Sequence, residues 1–130
     1  MRVVVVGAGS VGRSIASELV ETGREVTLID KNPAARTAQV PGAQWILADA
    51  CEQATLTAAH VEEADVVVAA TGDDKVNLVV SLLARTEYAV PRTVARVNNP
   101  KNEWMFGEAW GVDVAVSTPR IMTAMVEEAV

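Results

Sequence analysis

The stretch Val3-Val4-Val5-Val6-Gly7-Ala8-Gly9-Ser10-Val11-Gly12 decides the fold. Its run of β-branched residues lacks the alternation of a half-exposed strand and reads as a parallel strand buried on both faces. The strand runs directly into G-x-G-x-x-G, and each glycine has its own task. Gly7 permits a tight turn, Gly9 leaves room for the backbone to approach a pyrophosphate, and Gly12 lets the next helix pack closely on the strand. Val11, Ile15 and Leu19 then recur at helical spacing as the apolar face of that helix. The amides of its first turn have no intrahelical partners and would face an anion at the positive end of the helix dipole.

Outward from this unit, Gly23 ends the helix, residues 25–29 read as a second strand, and Asp30 stands at its end. An acid about 20 residues past a glycine loop can accept hydrogen bonds from both hydroxyls of an adenosine ribose; the same side chain can instead cap a helix beginning near Pro33. The pattern continues with a short helix over 33–40, a strand over 44–48, a helix over 52–59, a strand over 65–69 and a helix over 73–86. A fifth strand over 92–97, a helix from Asn99-Pro100 to about 109, a sixth strand over 112–116 and a last helix from Thr118-Pro119 complete the chain. Alternating strands and helices require right-handed crossovers. The expected architecture is therefore an α/β, Rossmann-like, doubly wound six-stranded parallel sheet in the order 3-2-1-4-5-6, with a ligand at the carboxyl ends of strands one and four.

Each strand ends in a polar or glycine-bearing loop on that edge. Asp49 can receive an adenine amino group or cap the helix after it. Thr71 and Gly72 can approach ribose or pyrophosphate, while Asp73 can serve the ligand or cap the long helix. Asn77, one turn into that helix, can brace the glycine loop or face solvent. Arg96 ends an otherwise apolar strand and needs an anion, either a phosphate or a neighbouring carboxylate. The candidate ligand edge therefore comprises Gly7, Ala8, Gly9, Ser10, Val11, Gly12, Asp30, Lys31, Asp49, Ala50, Cys51, Thr71, Gly72, Asp73, Asn77 and Arg96.

Composition narrows the function classes. The 130 residues suit one domain. Half are hydrophobic, yet no run approaches the ~18 apolar residues of a membrane span, so direct membrane insertion is not expected. The first residues enter a core strand without the pattern of an export signal, and the single cysteine cannot form an internal disulfide; both favour a cytoplasmic setting. A net charge of −6 and the lack of a Lys/Arg cluster argue against a nucleic-acid partner. An enzyme is not expected either. The only histidine, His60, falls before strand four and hence on the opposite sheet edge; Cys51 has no histidine partner, and no Cys/His cluster has metal-ligand spacing.

Three further segments make the likeness specific: A-A-T-G-D-D-K-V-N-L-V-V-S-L-L-A-R (Ala69 to Arg85), A-R-V-N-N-P (Ala95 to Pro100) and W-G-V-D-V-A-V-S-T-P (Trp110 to Pro119). With V-G-A-G-S-V-G at the start, the chain resembles, over essentially its whole length, the N-terminal lobe of the RCK (KTN) family in its Trk-type regulatory branch. The resemblance implies a nucleotide-sensing subunit under a membrane potassium transporter or channel, peripheral to the inner face of the membrane. It implies phosphates on Gly7, Ala8, Gly9, Ser10 and Val11, ribose on Asp30, and contributions from Asp49, Ala50, Thr71, Gly72 and Arg96. ATP-sensing members often carry arginine after the second motif glycine. Ser10 in that place favours NAD or NADH, with ATP, ADP or AMP as alternatives, and Lys31 with Arg36 leaves NADP open.

The apolar side of the last helix, Ile121, Met122, Met125, Val126 and Ala129, is expected either to meet a second copy or to pack back on its own sheet. The resemblance agrees with the first, since its lobes assemble into dimers and larger rings. It also divides the chain into a nucleotide-binding lobe over 1–117 and the start of a crossover helix over 118–130, with a C-terminal lobe not included. Trp104, Met105, Phe106 and Trp110 are expected to serve core and interface packing. An NAD-dependent oxidoreductase fragment is the competing reading.

Overall fold

The computed structural model describes residues 1–34 and 40–129, with the side chains of 118–122 also outside the description. Strands β1 (Arg2–Val6), β2 (Glu25–Asp30), β3 (Gln44–Leu47), β4 (Val66–Ala69), β5 (Arg92–Val97) and β6 (Val114–Ser117) alternate with helices α1 (Ser10–Glu21), α2 (Gln53–Ala58), α3 (Asp74–Thr86) and α4 (Thr118–Ala129). The strands form one parallel sheet in the order β3-β2-β1-β4-β5-β6. This is the expected doubly wound order, with the winding reversing between β1 and β4.

β1 sits at the centre, Val3 pairing with Val26 on one side and Val66 on the other. Val4 and Val6 join the core that holds Leu56, Val61, Leu78 and Val80. Val3 and Val5 join Ala16 and Leu28 on the opposite face, where Ile15 and Leu19 of α1 pack. Four valines no more than 2 % exposed therefore serve two cores at once. Each is worth about 1.5–3 kcal/mol relative to exposure.

The turn into α1 depends on two glycines. Gly7 has φ +102°, a conformation that favours glycine, and a Cβ there would stand 2.9 Å from the backbone of Ala70 and Thr71. At Gly12 a Cβ would fall 1.7 Å from the Gly7 carbonyl oxygen, so α1 sits directly on the turn. Asp73 caps α3 as one of its two readings has it, accepting from Lys75 N at 2.9 Å and Val76 N at 3.4 Å.

Several boundaries differ from expectation. The helix expected after Asn99-Pro100 is two 3-10 segments, Pro100–Met105 and Glu108–Trp110. Asn99 does cap the first, accepting from Lys101 N at 3.1 Å, but Gly107 between them is extended at φ −150° and ψ −161° and breaks the run. β6 begins at Val114, two residues late: Val112 N donates back to the Gly107 carbonyl at 3.0 Å, and the Asp113 side chain is taken by Thr93 N and Arg85. The helix expected over 33–40 falls largely on 35–39, outside the described residues. Phe106 is buried and Met105 and Trp110 pack against the core, whereas Trp104 is 82 % exposed and contributes nothing to it. No helix of the described residues is long and apolar enough to cross a membrane.

The contact at Gly12 leaves no room for a methyl group. Gly12→Ala is expected to lower the unfolding free energy by about 3 kcal/mol, read as a fall in the urea midpoint. An unchanged midpoint would show that α1 can retreat from the turn at no cost.

Candidate functional site

Where the winding reverses, the strand ends surround a cleft of about 310 Å³. Val6 and Gly7 stand at the end of β1, Ile29, Asp30 and Lys31 at the end of β2, Ala48, Asp49 and Ala50 in the loop after β3, and Thr71, Gly72 and Asp73 in the loop after β4, with Val76 of α3 as an apolar wall. Its volume lies at the lower end of the about 300–1,000 Å³ usual for small-molecule sites.

Asp30 ties this edge together. Its Oδ2 accepts from Ala8 N at 2.8 Å and its Oδ1 from Asn32 N at 2.7 Å. The carboxylate thus holds the glycine turn against the end of β2, and Gly7 N donates to the Ile29 carbonyl beside it at 2.8 Å. An ionised carboxylate offers about four acceptor positions, so two remain for hydroxyl donors from the cleft. Asp49 closes the turn before α2 by accepting from Cys51 N at 2.9 Å, while Glu52, whose side chain makes no cap, holds the N-cap position. Arg13 adds a contact that the glycine spacing did not disclose: its Nη1 donates to the Ala8 carbonyl at 3.0 Å and restrains the turn from the helix side.

Thr71 is anchored from behind by Asn77, which is fully buried. The Asn77 Oδ1 accepts from Thr71 N at 3.0 Å and Thr71 Oγ1 at 2.7 Å; its Nδ2 donates to the carbonyls of Thr71 at 3.0 Å and Arg96 at 2.9 Å. Neither reading of Asn77 holds as stated. It does not face solvent, and it braces the β4 loop, reaching the glycine turn only through the packing of Gly7 on Thr71.

The remaining candidates lie around the cleft and not in its wall. Gly9 is exposed, and a Cβ there would meet nothing within 4 Å. Ser10 and Val11 line a separate shallow groove along α1 with Ser14, Ile15 and Glu18. Ala8 and Gly12 are buried, and the Ala8 amide is already committed to Asp30. Cys51 is half-buried beside the cleft; burial, and then the nearby Asp49 charge, push its thiol above the ordinary range. Arg96 is also outside the wall. Among the described residues it forms no ion pair, and its Nε is buried without a hydrogen-bond partner. Among the described residues no carboxylate pairs with it.

His60 lies at the opposite sheet edge, in a left-handed conformation at φ 53° before the 3-10 turn Val61–Glu63. There His60, Glu62 and Glu63 bring three ligand-type atoms within 4.8 Å of one another, the one such group among the described residues; all three are exposed and Glu63 already binds Arg2.

Two other carboxylates are tightly held. Burial pushes the Asp74 carboxyl up, but donors from Asn98, Asn102 and Asn99 outweigh it and leave the group below the usual range. At Asp113 the Arg85 guanidinium lowers the carboxyl most, against a smaller effect of burial, with Thr93 N adding to it.

A doubly wound sheet with a glycine turn and an acid at the end of its second strand defines a Rossmann-like module. The chain belongs to the TrkA-N domain family, whose model matches residues 3–118. It is 63% identical over 131 residues to the Trk system potassium uptake protein TrkA of Mycobacterium tuberculosis, covering all of this chain and 60% of that protein. It is 38% identical over 130 residues to a TrkA homolog of Methanothermobacter thermautotrophicus, covering 98% of this chain and 59% of that one. The chain thus spans about three-fifths of the length of these curated relatives. Among solved structures, the GsuK channel bound to NAD superposes with a TM-score of 0.81 at 26% identity, covering 97% of this chain and 22% of that one. GsuK bound to ADP superposes at 0.82 with the same identity, covering 97% and 32%.

Because both folded-state values are depressed, the stability that Asp74 and Asp113 contribute is complete above the range of an unfolded aspartate, about 4, and is lost as pH falls through their lower folded values. Urea denaturation followed by circular dichroism is expected to show stability falling steeply below about pH 4. In Asp113→Asn part of that dependence should disappear; an identical acid profile would refute the assignment.

Proposed function

We propose that this chain is the nucleotide-binding lobe of a Trk-type potassium-uptake regulatory protein, taking NAD or NADH as a signal that it leaves chemically unchanged. The observation that carries the reading is the convergence of Gly7, Asp30, Asp49 and Thr71 on one cleft, with open space over Gly9 where a phosphate would approach. The names of the relatives supply potassium uptake, and the NAD-bound GsuK structure supplies the ligand class. Asp30 would receive the adenosine ribose, Asp49 the adenine side and Thr71 with Gly72 the ribose or pyrophosphate. Arg96, which forms no ion pair among the described residues, would meet a phosphate that extends beyond the cleft wall.

ADP, AMP or ATP is the second reading. It is favoured by the small cleft, which encloses little more than an adenosine half, and by the ADP-bound GsuK structure. An oxidoreductase fragment fits less well. Catalysis of hydride transfer usually needs a proton-transfer group beside the cofactor, and neither histidine nor cysteine lines the cleft among the described residues. Lys31 does line it, which leaves room for a 2′-phosphate; Arg36 lies outside the described residues.

As a signal, the nucleotide acts by differential affinity for two conformations or assemblies. Moving a population from almost all of one to almost all of the other takes about 5.5 kcal/mol of discrimination. The output would pass to a membrane potassium transporter or channel on the cytoplasmic face, through a homodimer or larger ring. α4 is the proposed contact between copies. Met125 and Val126 are each 63 % exposed and Ala129 is exposed too, so these residues do not pack back on the sheet; the side chains of Ile121 and Met122 lie outside the described residues.

Calorimetry with NADH, NAD, NADP, ADP and ATP in parallel tests the ligand, and tight binding without turnover is expected for NADH or NAD. Gly9→Ala should keep the wild-type melting temperature, since its Cβ meets nothing, yet weaken binding about tenfold or more by occupying the phosphate approach. Asp30→Asn retains an acceptor oxygen for Ala8 N while removing the charge, and its affinity should also fall. Wild-type affinity in both variants, or oxidation of NADH by the protein with a range of carbonyl substrates, would overturn the proposal. Val126→Asp is expected to shift sedimentation toward the monomer; unchanged sedimentation of an associated species would exclude α4 as the contact.

A further inference from the structure

We propose that Asp74 is the positioning residue of the nucleotide cleft: without touching the ligand, it fixes the Thr71 to Asp73 loop through Asn98. The inference rests on the functional reading above and adds to it a residue outside the cleft wall. Asp74 follows Asp73 directly but turns away from the cleft into the protein, where it is 9 % exposed. Its Oδ1 accepts from Asn98 N at 2.7 Å and Asn98 Nδ2 at 3.1 Å; its Oδ2 accepts from Asn99 N at 3.0 Å and Asn102 Nδ2 at 2.8 Å. The same Asn98 Nδ2 donates to the Thr71 carbonyl at 2.9 Å.

Thr71 is therefore gripped by two asparagines. Asn77 holds its N–H, hydroxyl and carbonyl from within α3, and Asn98 holds the carbonyl from the end of β5. Asn98 is in turn held by Asp74, which accepts from both its backbone N and its Nδ2. The consequence reaches the glycine turn, because Gly7 packs so closely on Ala70 and Thr71 that a Cβ would stand 2.9 Å from Thr71 N. A shift of Thr71 thus moves two of the walls that enclose the ligand.

The chemistry explains why this position carries a carboxylate. Four N–H donors converge on it, and an ionised carboxylate is acceptor-only with room for all four. An amide would turn one NH₂ group against incoming N–H donors. The charge also lies in the first turn of α3, where the helix dipole favours an anion.

A structural role alone would stabilise the fold without affecting affinity, and Asp113 supplies that comparison. It too is a carboxylate held by backbone and side-chain donors, but at the opposite sheet edge. Affinity for NAD and ADP is measured by calorimetry for the wild type, Asp74→Asn and Asp113→Asn, at a temperature where circular dichroism shows each folded. Asp74→Asn should raise Kd about tenfold or more, the range for loss of charge-assisted hydrogen bonds. Asp113→Asn, far from the cleft, should stay within about twofold. The amide resonances of Thr71, Gly72 and Ala8 should shift in ligand-free Asp74→Asn and stay in place in Asp113→Asn.

If Asp74→Asn does not fold, Asn98→Ala and Asn102→Ala decide the matter with the carboxylate intact. Only the first cuts the link to Thr71, so only it should weaken binding. Equal affinities for Asp74→Asn and wild type, or for the two asparagine variants, would overturn the inference while leaving the functional reading standing. A wild-type protein that binds neither NAD nor ADP would bring down both.

Discussion

The structure depends on the contact between Gly12 and the Gly7 carbonyl, where α1 rests on the turn that ends β1 with no side chain between them. That approach fixes the direction of the first crossover and brings the first turn of α1 to the carboxyl edge of the sheet. A larger residue at either position would push the helix outward, separating Ile15 and Leu19 from Val3 and Val5 and opening the floor of the cleft. One steric constraint therefore serves both the core and the site.

Around that constraint the cleft is a set of backbone loops held by side chains that mostly do not line it. Asp30 secures the glycine turn from the β2 side, Arg13 from the helix side, and Asn77 and Asn98 secure Thr71 from below. Such an arrangement leaves the cleft wall rich in main-chain groups and carboxylate oxygens, the latter being acceptors of the kind the proposed ribose hydroxyls would need. On the proposed reading, affinity would depend on residues whose polar groups are spent on the protein itself.

The sheet was legible in the chain because its signals are local and redundant. A β-branched run, a glycine turn and an amphipathic helix repeat the same message at the start, and proline after Thr118 or Asn99 marks the later helix openings. The cleft residues Gly7, Asp30, Asp49, Thr71 and Gly72 were legible for the same reason, each standing at the end of a strand. What escaped was set by long-range geometry. Nothing near Arg13 announces its bond to the Ala8 carbonyl, and Asn98 and Asn102 look like ordinary loop asparagines until the fold turns them toward Asp74. After Asn99 the cap and proline are genuine and predict one helix, while the extended conformation of Gly107, which divides it into two 3-10 segments, has no signature apart from glycine itself.

The central place of β1 also governs how the chain must assemble. Its valines pair with β2 nearby, but their other edge waits for β4, whose residues are made about 60 positions later. At about 5–20 residues per second on the ribosome, this leaves one of the most apolar strands half-clothed for several seconds. The order 3-2-1-4-5-6 thus imposes a period of exposure during synthesis in which the nascent chain is vulnerable to aggregation, before the second half of the sheet closes over it.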